Sequence, residues 1–569
     1  MKRSWPPLVC DRAMKKIVIQ VLATALGLTA MPGCGVADQS GAAAAAPGPF
    51  VLGTQTHFSQ GWPSGRLEQA QALGAPLLRD GVSWAAAEVQ KGRIVFPAAS
   101  TASLERACNS GMKLVLAIVP ANPLYDGGLL VKSAEGQAAF AQYLDRVASK
   151  FAGCLAGIEV GNELNGAKSL GTKGEVQINY VALMRAVYGP FKESHPGVAL
   201  IGGSTNAIGT GYLDTLFGLG LLDYADGVAV HPYRNHGENV DWEIGHLAGT
   251  MRQHGKVLPI WATEFSDNFA SPAEGAAALM KMATLLSGSG VQMASWYALV
   301  DQKWFPAMGL LTSDGTMKPA GRAFSFLQRE LLSKGRPVAV SATRLTPIWR
   351  YGTDRWVVWG VPRALNVAAG TQVFDAQGNR LTGPVELGMA PVVVIGARPQ
   401  LGAAAVLADS LLQFGAAPWS YLTGAPGKEK PLAPLDSDFS TSLGNRWLKP
   451  MRIDDATGAT TAAAPVTLRY TAAKDLSASL LGCFTKSAAS PSAVAISMHA
   501  PGGGQIAGAL LSGSAMVAVS NLHLAAGQSV DIRIAPASGS SGHTFRYRVQ
   551  LFQQGAAPGS CPEDIVGWQ

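Results

Sequence analysis

Residues 114–163 read LVLAIVPANPLYDGGLLVKSAEGQAAFAQYLDRVASKFAGCLAGIEVGNE. A short apolar run, 114–119, precedes a helix-like stretch over 134–151, and a second short run follows at 157–162. Short apolar runs that alternate with longer helical segments are the mark of βαβ units and a parallel sheet. The rhythm extends both ways. Further candidate strands lie at 50–55, 76–82, 199–204, 227–231, 258–263 and 292–298, with helix-like segments at 176–195 and 273–287. Eight βα units over 49–330 fit a (β/α)8 barrel, which takes about 250 residues plus insertions. A doubly wound open sheet is the alternative. It would carry a glycine fingerprint after its first strand, and 50–60 has none.

From about 331 the pattern changes to short strands and turns. Runs at 338–340, 348–351, 356–361, 371–375 and 392–395 predict a small β domain over 331–399, packed on the barrel. Residues 400–435 are rich in Ala, Pro and Gly and read as a linker. Runs at 466–470, 493–498, 516–519, 530–534 and 545–552, broken by Gly-rich turns, predict a β-sandwich over 436–569. It could bind carbohydrate through Trp447, Tyr470, Phe545 and Tyr547, or those rings could be core.

The chain has 569 residues, 48% apolar and 15% charged, which excludes a wholly disordered protein. The net charge of +7 is unevenly placed. Lys2, Arg3, Arg12, Lys15 and Lys16 against Asp11 put +4 within the first 33 residues and leave +3 for the rest. A nucleic-acid partner therefore has no support in the charge. Lys15 and Lys16 after Met14, a possible true start, lead into an apolar stretch over 17–30 that is too short to span a membrane and suits a signal peptide over 1–33. Met31-Pro32-Gly33-Cys34 resembles the lipobox of bacterial lipoproteins, with Cys34 as the lipidated residue and 34–48 as a flexible tether. The expected location is the periplasm or outer membrane as a lipoprotein, or alternatively the medium by ordinary secretion. Cys108, Cys154, Cys483 and Cys561 form an even set that permits disulfides Cys108–Cys154 and Cys483–Cys561, or else buried free thiols. No CxxC or Cys/His cluster points to a metal, and no cofactor is expected.

Active sites on this fold lie at the C-terminal ends of the strands. The fourth candidate strand ends in Gly161-Asn162-Glu163 and the seventh in Trp261-Ala262-Thr263-Glu264. Two carboxylates far apart in sequence thus converge on one mouth. Glycoside hydrolysis needs such a pair, one protonated to give its proton to the leaving oxygen and one ionised to attack the anomeric carbon. His57, Asn122 and Trp304 also follow candidate strands, while Trp84 reads as packing beneath the mouth.

Several motifs together resemble the retaining barrel glycosidases of clan A, and among them family 39-like enzymes acting on bacterial exopolysaccharides of biofilms. They are 78–84 (LRDGVSW), 159–163 (EVGNE), 231–233 (HPY), 261–264 (WATE), 295–297 (SWY) and 309–315 (GLLTSDG). Gly161 and Leu164 stand where the usual motif has Trp and Pro. The resemblance implies Glu163 as general acid/base and Glu264 as nucleophile. It implies that Asn162 binds a sugar hydroxyl and that Arg79 keeps Glu264 ionised. It places His231 and Tyr233 in the same mouth, with Trp296 as a stacking floor. A retaining hydrolase of a polysaccharide is the leading expectation. The alternatives are a non-catalytic polysaccharide-binding or secretion protein on a barrel scaffold, and a transglycosylase using the same residues.

Overall fold

The computed structural model describes residues 48–561 except 446–450, 462–464, 488–489, 491–492 and 538–540. The signal peptide, the tether up to residue 47, Cys34 and Trp447 lie outside the described residues. Among the described residues no helix is long and apolar enough to cross a membrane.

Eight parallel strands close into a barrel: β1 (Val51–Gln55), β2 (Leu77–Gly81), β3 (Lys113–Ile118), β4 (Leu155–Val160), β5 (Ala199–Asn206), β6 (Gly227–His231), β7 (Ile260–Phe265) and β8 (Met293–Trp296). β1 pairs with both β2 and β8, which completes the ring. One main helix follows each strand: α1 (Arg66–Ala72), α2 (Ala98–Asn109), α3 (Ala134–Lys150), α4 (Lys173–Ser194), α5 (Thr210–Gly218), α6 (Val240–Gln253), α7 (Pro272–Gly288) and α8 (Pro319–Phe326). Local chemistry sets the helix starts. Ser133 and Ser271 accept hydrogen bonds from Gly136 N and Glu274 N, and Thr172 with Glu175 forms a capping box.

The period-two alternation of each strand sorts its side chains into two cores. Leu78, Leu114, Leu116, Leu200, Val228, Ile260 and Ala294 face outward and pack beneath the helices. Leu77, Val115, Ile201, Ala229, Trp261 and Met293 face inward and plug the barrel. Two residues further along, the inward positions turn polar: Arg79, His231, Thr263 and Ser295. The apolar plug is thus the floor under a polar layer at the C-terminal mouth.

The β module after the barrel has a six-stranded and a three-stranded sheet. Tyr351, Val357, Trp359 and Val393 join the barrel's own core, and Tyr351 donates to Thr284 on α7 at 3.1 Å. The C-terminal sandwich pairs an eight-stranded with a six-stranded sheet. It starts earlier than the composition implies. The 400–435 stretch, expected to be a linker, contributes strands Val406–Asp409, Trp419–Thr423, Lys430–Pro431 and Ala433–Asp436 to these sheets. Its Ala, Pro and Gly separate isolated anchors, Trp419, Tyr421 and Leu422, that are buried. Tyr470, Phe545 and Tyr547 are also core, which removes them as sugar-binding rings.

The described residues hold two disulfides, Cys108–Cys154 and Cys483–Cys561. The first ties the last turn of α2 to the segment entering β4, across 46 residues of sequence. Replacing both of these cysteines by Ser should lower the unfolding free energy by about 2–4 kcal/mol. Denaturant titration of the double variant checks this, and an unchanged midpoint would contradict it.

Candidate active site

Arg79 is the centre of the polar layer. It is 1% exposed, and burial of a guanidinium demands partners on every side. Its Nε donates to Glu159 Oε2 at 2.8 Å, one Nη to Gln55 Oε1 at 2.8 Å and to Glu264 Oε1, and the other Nη to Asn162 Oδ1 at 3.0 Å. Glu159 is fully buried on β4. It also accepts from Ser204 Oγ at 2.7 Å and Thr263 Oγ1 at 3.0 Å, and meets His231 Nε2 at 3.3 Å.

Two irregularities aim the carboxylates. Strict alternation would turn Glu264 outward with Ala262, but the β7–β8 register shifts between Ala262 and Phe265. The displaced Glu264 accepts from Arg79 and from Tyr233 Oη at the mouth. At the end of β4 the chain kinks through Gly161 (φ 103°) and Glu163 (φ 48°). A side chain at 161 would be strained at that φ and would strike Leu164. That is the physical reason for glycine in place of the usual tryptophan.

Glu163 and Glu264 face one another across the mouth. Its floor includes His231, whose Nδ1 lies 3.3 Å from Glu163 Oε1 and 3.6 Å from Glu264 Oε2. One oxygen of each carboxylate and a ring nitrogen of His231 lie within 4.8 Å of one another. Asn206 Nδ2 donates to Glu163 Oε1 at 2.8 Å. The two carboxylates differ in access: the Glu163 side chain is 33% exposed and that of Glu264 only 9%. The pocket above them is about 660 Å³ and is lined by Gln55, His57, Asn162, Tyr233, Tyr297 and Phe305 among others.

The electrostatics follow from this packing. Burial alone would raise the pKa of Glu159 and Glu264. The neighbouring Arg79 and His231 charges outweigh it, and both carboxyls are held below the usual range. Burial alone would depress His231, but the Glu264 charge and hydrogen bonds to Glu159 and Glu163 raise it to about 9. Burial lowers His57 to about 4, so its ring is neutral at ordinary pH. Glu163, His231 and Glu264 have the donor types of a cation site. Arg79, bonded to Glu264, already places a positive charge there.

Most of the sequence-predicted residues meet here: Arg79, Asn162, Glu163, His231, Tyr233 and Glu264, with His57 on the pocket wall. His57 Nε2 has no hydrogen-bond partner among the described residues, and its ring stands edge-on to Trp62 and Tyr297. Two expected residues are elsewhere. Trp296, expected as a stacking floor, is fully buried, stacks on Phe269 and donates to Met308 O at 2.9 Å. It shares the outward parity of Ala294, so its ring packs on Phe265 and Phe269 behind the strands and not in the mouth. Asn122, also expected at the site, is 1% exposed and donates to Trp84 O and Glu88 O, which ties one loop to another. Trp304 is 77% exposed and does not line the pocket, whereas Phe305 does. Trp84 is buried and donates to Glu88. Glu159 and Tyr297 fall within the sequence motifs 159–163 and 295–297 but are given no role there, and Asn206 is not singled out. Glu159 was accessible to a sequence reading, since it lies on the fourth candidate strand two residues beyond Gly157.

Residues 184–324 match the family model described as "Glycosyl hydrolase catalytic core". The barrel carries a glycosyl hydrolase catalytic core. The matched span includes His231, Tyr233 and Glu264. No curated protein sequence matches the chain. Among solved structures, a family 39 glycoside hydrolase from the gut symbiont Bacteroides cellulosilyticus WH2 is 18% identical, with a TM-score of 0.52, covering 61% of this chain and 81% of that one. A family 39 β-xylosidase from Caulobacter crescentus is 17% identical, with a TM-score of 0.47, covering 62% and 98%. The first of these shares the fold of this hydrolase.

The pKa shifts predict how stability depends on pH. His231 is raised from 6.5 to about 9, so its contribution is complete below 6.5 and is lost as pH rises through about 9. Glu159 and Glu264 are depressed from 4.5, so theirs is present above 4.5 and is lost on acidification. The melting temperature should therefore fall between about pH 6.5 and about pH 9 in the wild type and stay flatter in His231→Gln. Scanning fluorimetry across that range checks this, and parallel profiles would contradict it.

Proposed function

We propose that this hydrolase is a retaining glycosidase of a polysaccharide, with Glu264 as nucleophile and Glu163 as general acid/base. The observation that carries the reading is the closeness of the two carboxylates, with oxygens within 4.8 Å. Retaining enzymes hold their carboxyl groups about 5–5.5 Å apart, whereas inverting enzymes leave about 6.5–9.5 Å for a water.

In the first step Glu264 attacks the anomeric carbon while Glu163 gives its proton to the leaving oxygen, and the glycosidic bond breaks. The product is a glycosyl ester on Glu264. In the second step Glu163 takes a proton from water, which attacks the anomeric carbon and frees Glu264. Arg79 and Tyr233 orient the nucleophile, and Arg79 and His231 keep it ionised. Asn162 spends its carbonyl oxygen on Arg79, which leaves its NH2 for the hydroxyl beside the reacting carbon. The greater exposure of Glu163 suits a group that must exchange protons with water.

An exopolysaccharide substrate and export, as a lipoprotein through Cys34 or by secretion, belong to the same proposal. Two disulfides suit an oxidising compartment. The motifs shared with exopolysaccharide-acting enzymes support the substrate class.

The test is hydrolysis of a panel of bacterial exopolysaccharides and aryl glycosides. Glu163→Gln should lower kcat on natural linkages by about 10²–10⁴-fold, and Glu264→Gln at least as much. The first product, followed by NMR, should keep the anomeric configuration of the substrate. An inverted product would contradict the role of Glu264, and variants as active as wild type would contradict both roles.

A further inference from the structure

We propose that the C-terminal sandwich completes the substrate cleft. The tip of its 433–444 hairpin places Phe439 as an aromatic platform for the sugar on the leaving-group side of the scissile bond. The proposal rests on Glu163 being the acid/base.

Strands Ala433–Asp436 and Thr441–Gly444 pair antiparallel, with Asp436 opposite Thr441. Ser437 locks the four-residue tip: its N donates to Ser440 O at 2.9 Å, and its Oγ accepts from Ser440 N at 2.9 Å and from Phe439 N at 3.2 Å. The tip does not hang free. It seats on the β4–α4 and β5–α5 connections and on the first residues of α4 and α5, next to the turn that carries Glu163 and the end of β5 that carries Asn206. Gly211 N donates to Ser437 O at 2.9 Å, Lys173 pairs with Asp438, and Thr441 Oγ1 meets Thr210 Oγ1 at 3.2 Å. A Cβ at Gly209 would fall on Asp438 O, so the loop and the tip approach as closely as backbones allow.

A hydrogen-bonded chain links the tip to the acid/base. Asn165 Nδ2 donates to Asp438 O at 2.5 Å and to Asn206 O at 2.9 Å. Asn206 N donates back to Asn165 Oδ1 at 2.9 Å, and Asn206 Nδ2 holds Glu163 Oε1. Phe439 itself packs little. It is 48% exposed, and its ring comes to 4.0 Å from where a side chain on Gly166 would begin. Gly166 N in turn bonds Glu163 O at 2.9 Å, in the turn that carries the acid/base. A single half-open ring is ordinary on a protein surface; what distinguishes this one is the hydrogen-bonded tip that fixes it against the β4 turn. The tip holds it against Gly166, in the turn that carries Glu163 and outside the lining of the inner pocket, where a sugar extending from the mouth would pass. Glu163 protonates the leaving oxygen, so the sugar attached to that oxygen lies on this side. The C–H face of a pyranose is apolar and packs on an aromatic ring.

The experiment compares kcat/KM of the full chain on an oligosaccharide that the wild type cleaves and on the glycosyl fluoride of the sugar or oligosaccharide it releases. The fluoride has nothing to reach Phe439 and needs no acid. Phe439→Ala should lower kcat/KM on the oligosaccharide by about tenfold, mainly through KM, and leave the fluoride within about twofold. Phe439→Trp should restore the oligosaccharide. No loss on the oligosaccharide, or an equal loss on both substrates, would overturn the platform. Glu163→Ala, run alongside, separates the two readings. It should keep kcat/KM on the fluoride and lose it on the oligosaccharide. If it loses both equally, the acid role falls; if it behaves as expected while Phe439→Ala changes nothing, the platform alone falls.

Discussion

The buried Arg79 guanidinium is the constraint on which the site depends. It sits one layer above the apolar plug of the barrel and bonds four residues from three other strands and the β4 loop: Gln55, Glu159, Glu264 and Asn162. Leaving one partner of such a network without its opposite charge costs about 3–5 kcal/mol. The network therefore favours the observed strand register, in which the two carboxylates stand on either side of the mouth. Glu159 never reaches the pocket, yet it fixes the cation that fixes the nucleophile, and it shares His231 with both catalytic candidates.

Regular strands could not have placed these groups. The pleat points every second residue inward, which supplies Arg79 and His231 without distortion, while Glu159 follows a register shift at the start of β4. Glu264 and Ser204 sit in register shifts of β7 and β5, and Glu163 in a left-handed turn. The chemistry thus lies where the barrel departs from its own rule, and hydrogen bonds hold each departure. Tyr180 on α4, for example, donates to Val160 O and accepts from Gly203 N, pinning the end of β4 to the distorted part of β5.

The barrel was legible because apolar runs and helical spacing are local signals, and the two Glu were legible because each closes such a run. Trp296 was misplaced by reading a ring near the mouth without its parity; Ser295 faces in and Trp296 packs outward on Phe265 and Phe269. Asn122 was misplaced because a loop residue's partners, here Trp84 and Glu88, come from another loop. The parity that would have recovered Glu159 would also have turned Glu264 outward, since a bulge leaves no mark on hydrophobic periodicity. The 400–435 stretch failed for a related reason. Its strands are short and its anchors sparse, and only pairing with distant strands such as Val466–Thr471 makes them a sheet.

The central claim is that Glu264, held ionised by Arg79, becomes covalently bonded to the sugar. A deoxyfluoro glycoside of the sugar that the enzyme releases, carrying a good leaving group, slows the second step and traps that ester. Mass spectrometry of the digested enzyme should find one sugar mass on the peptide containing Glu264. A label on Glu163, or full turnover of the reagent with no labelled peptide, would contradict it.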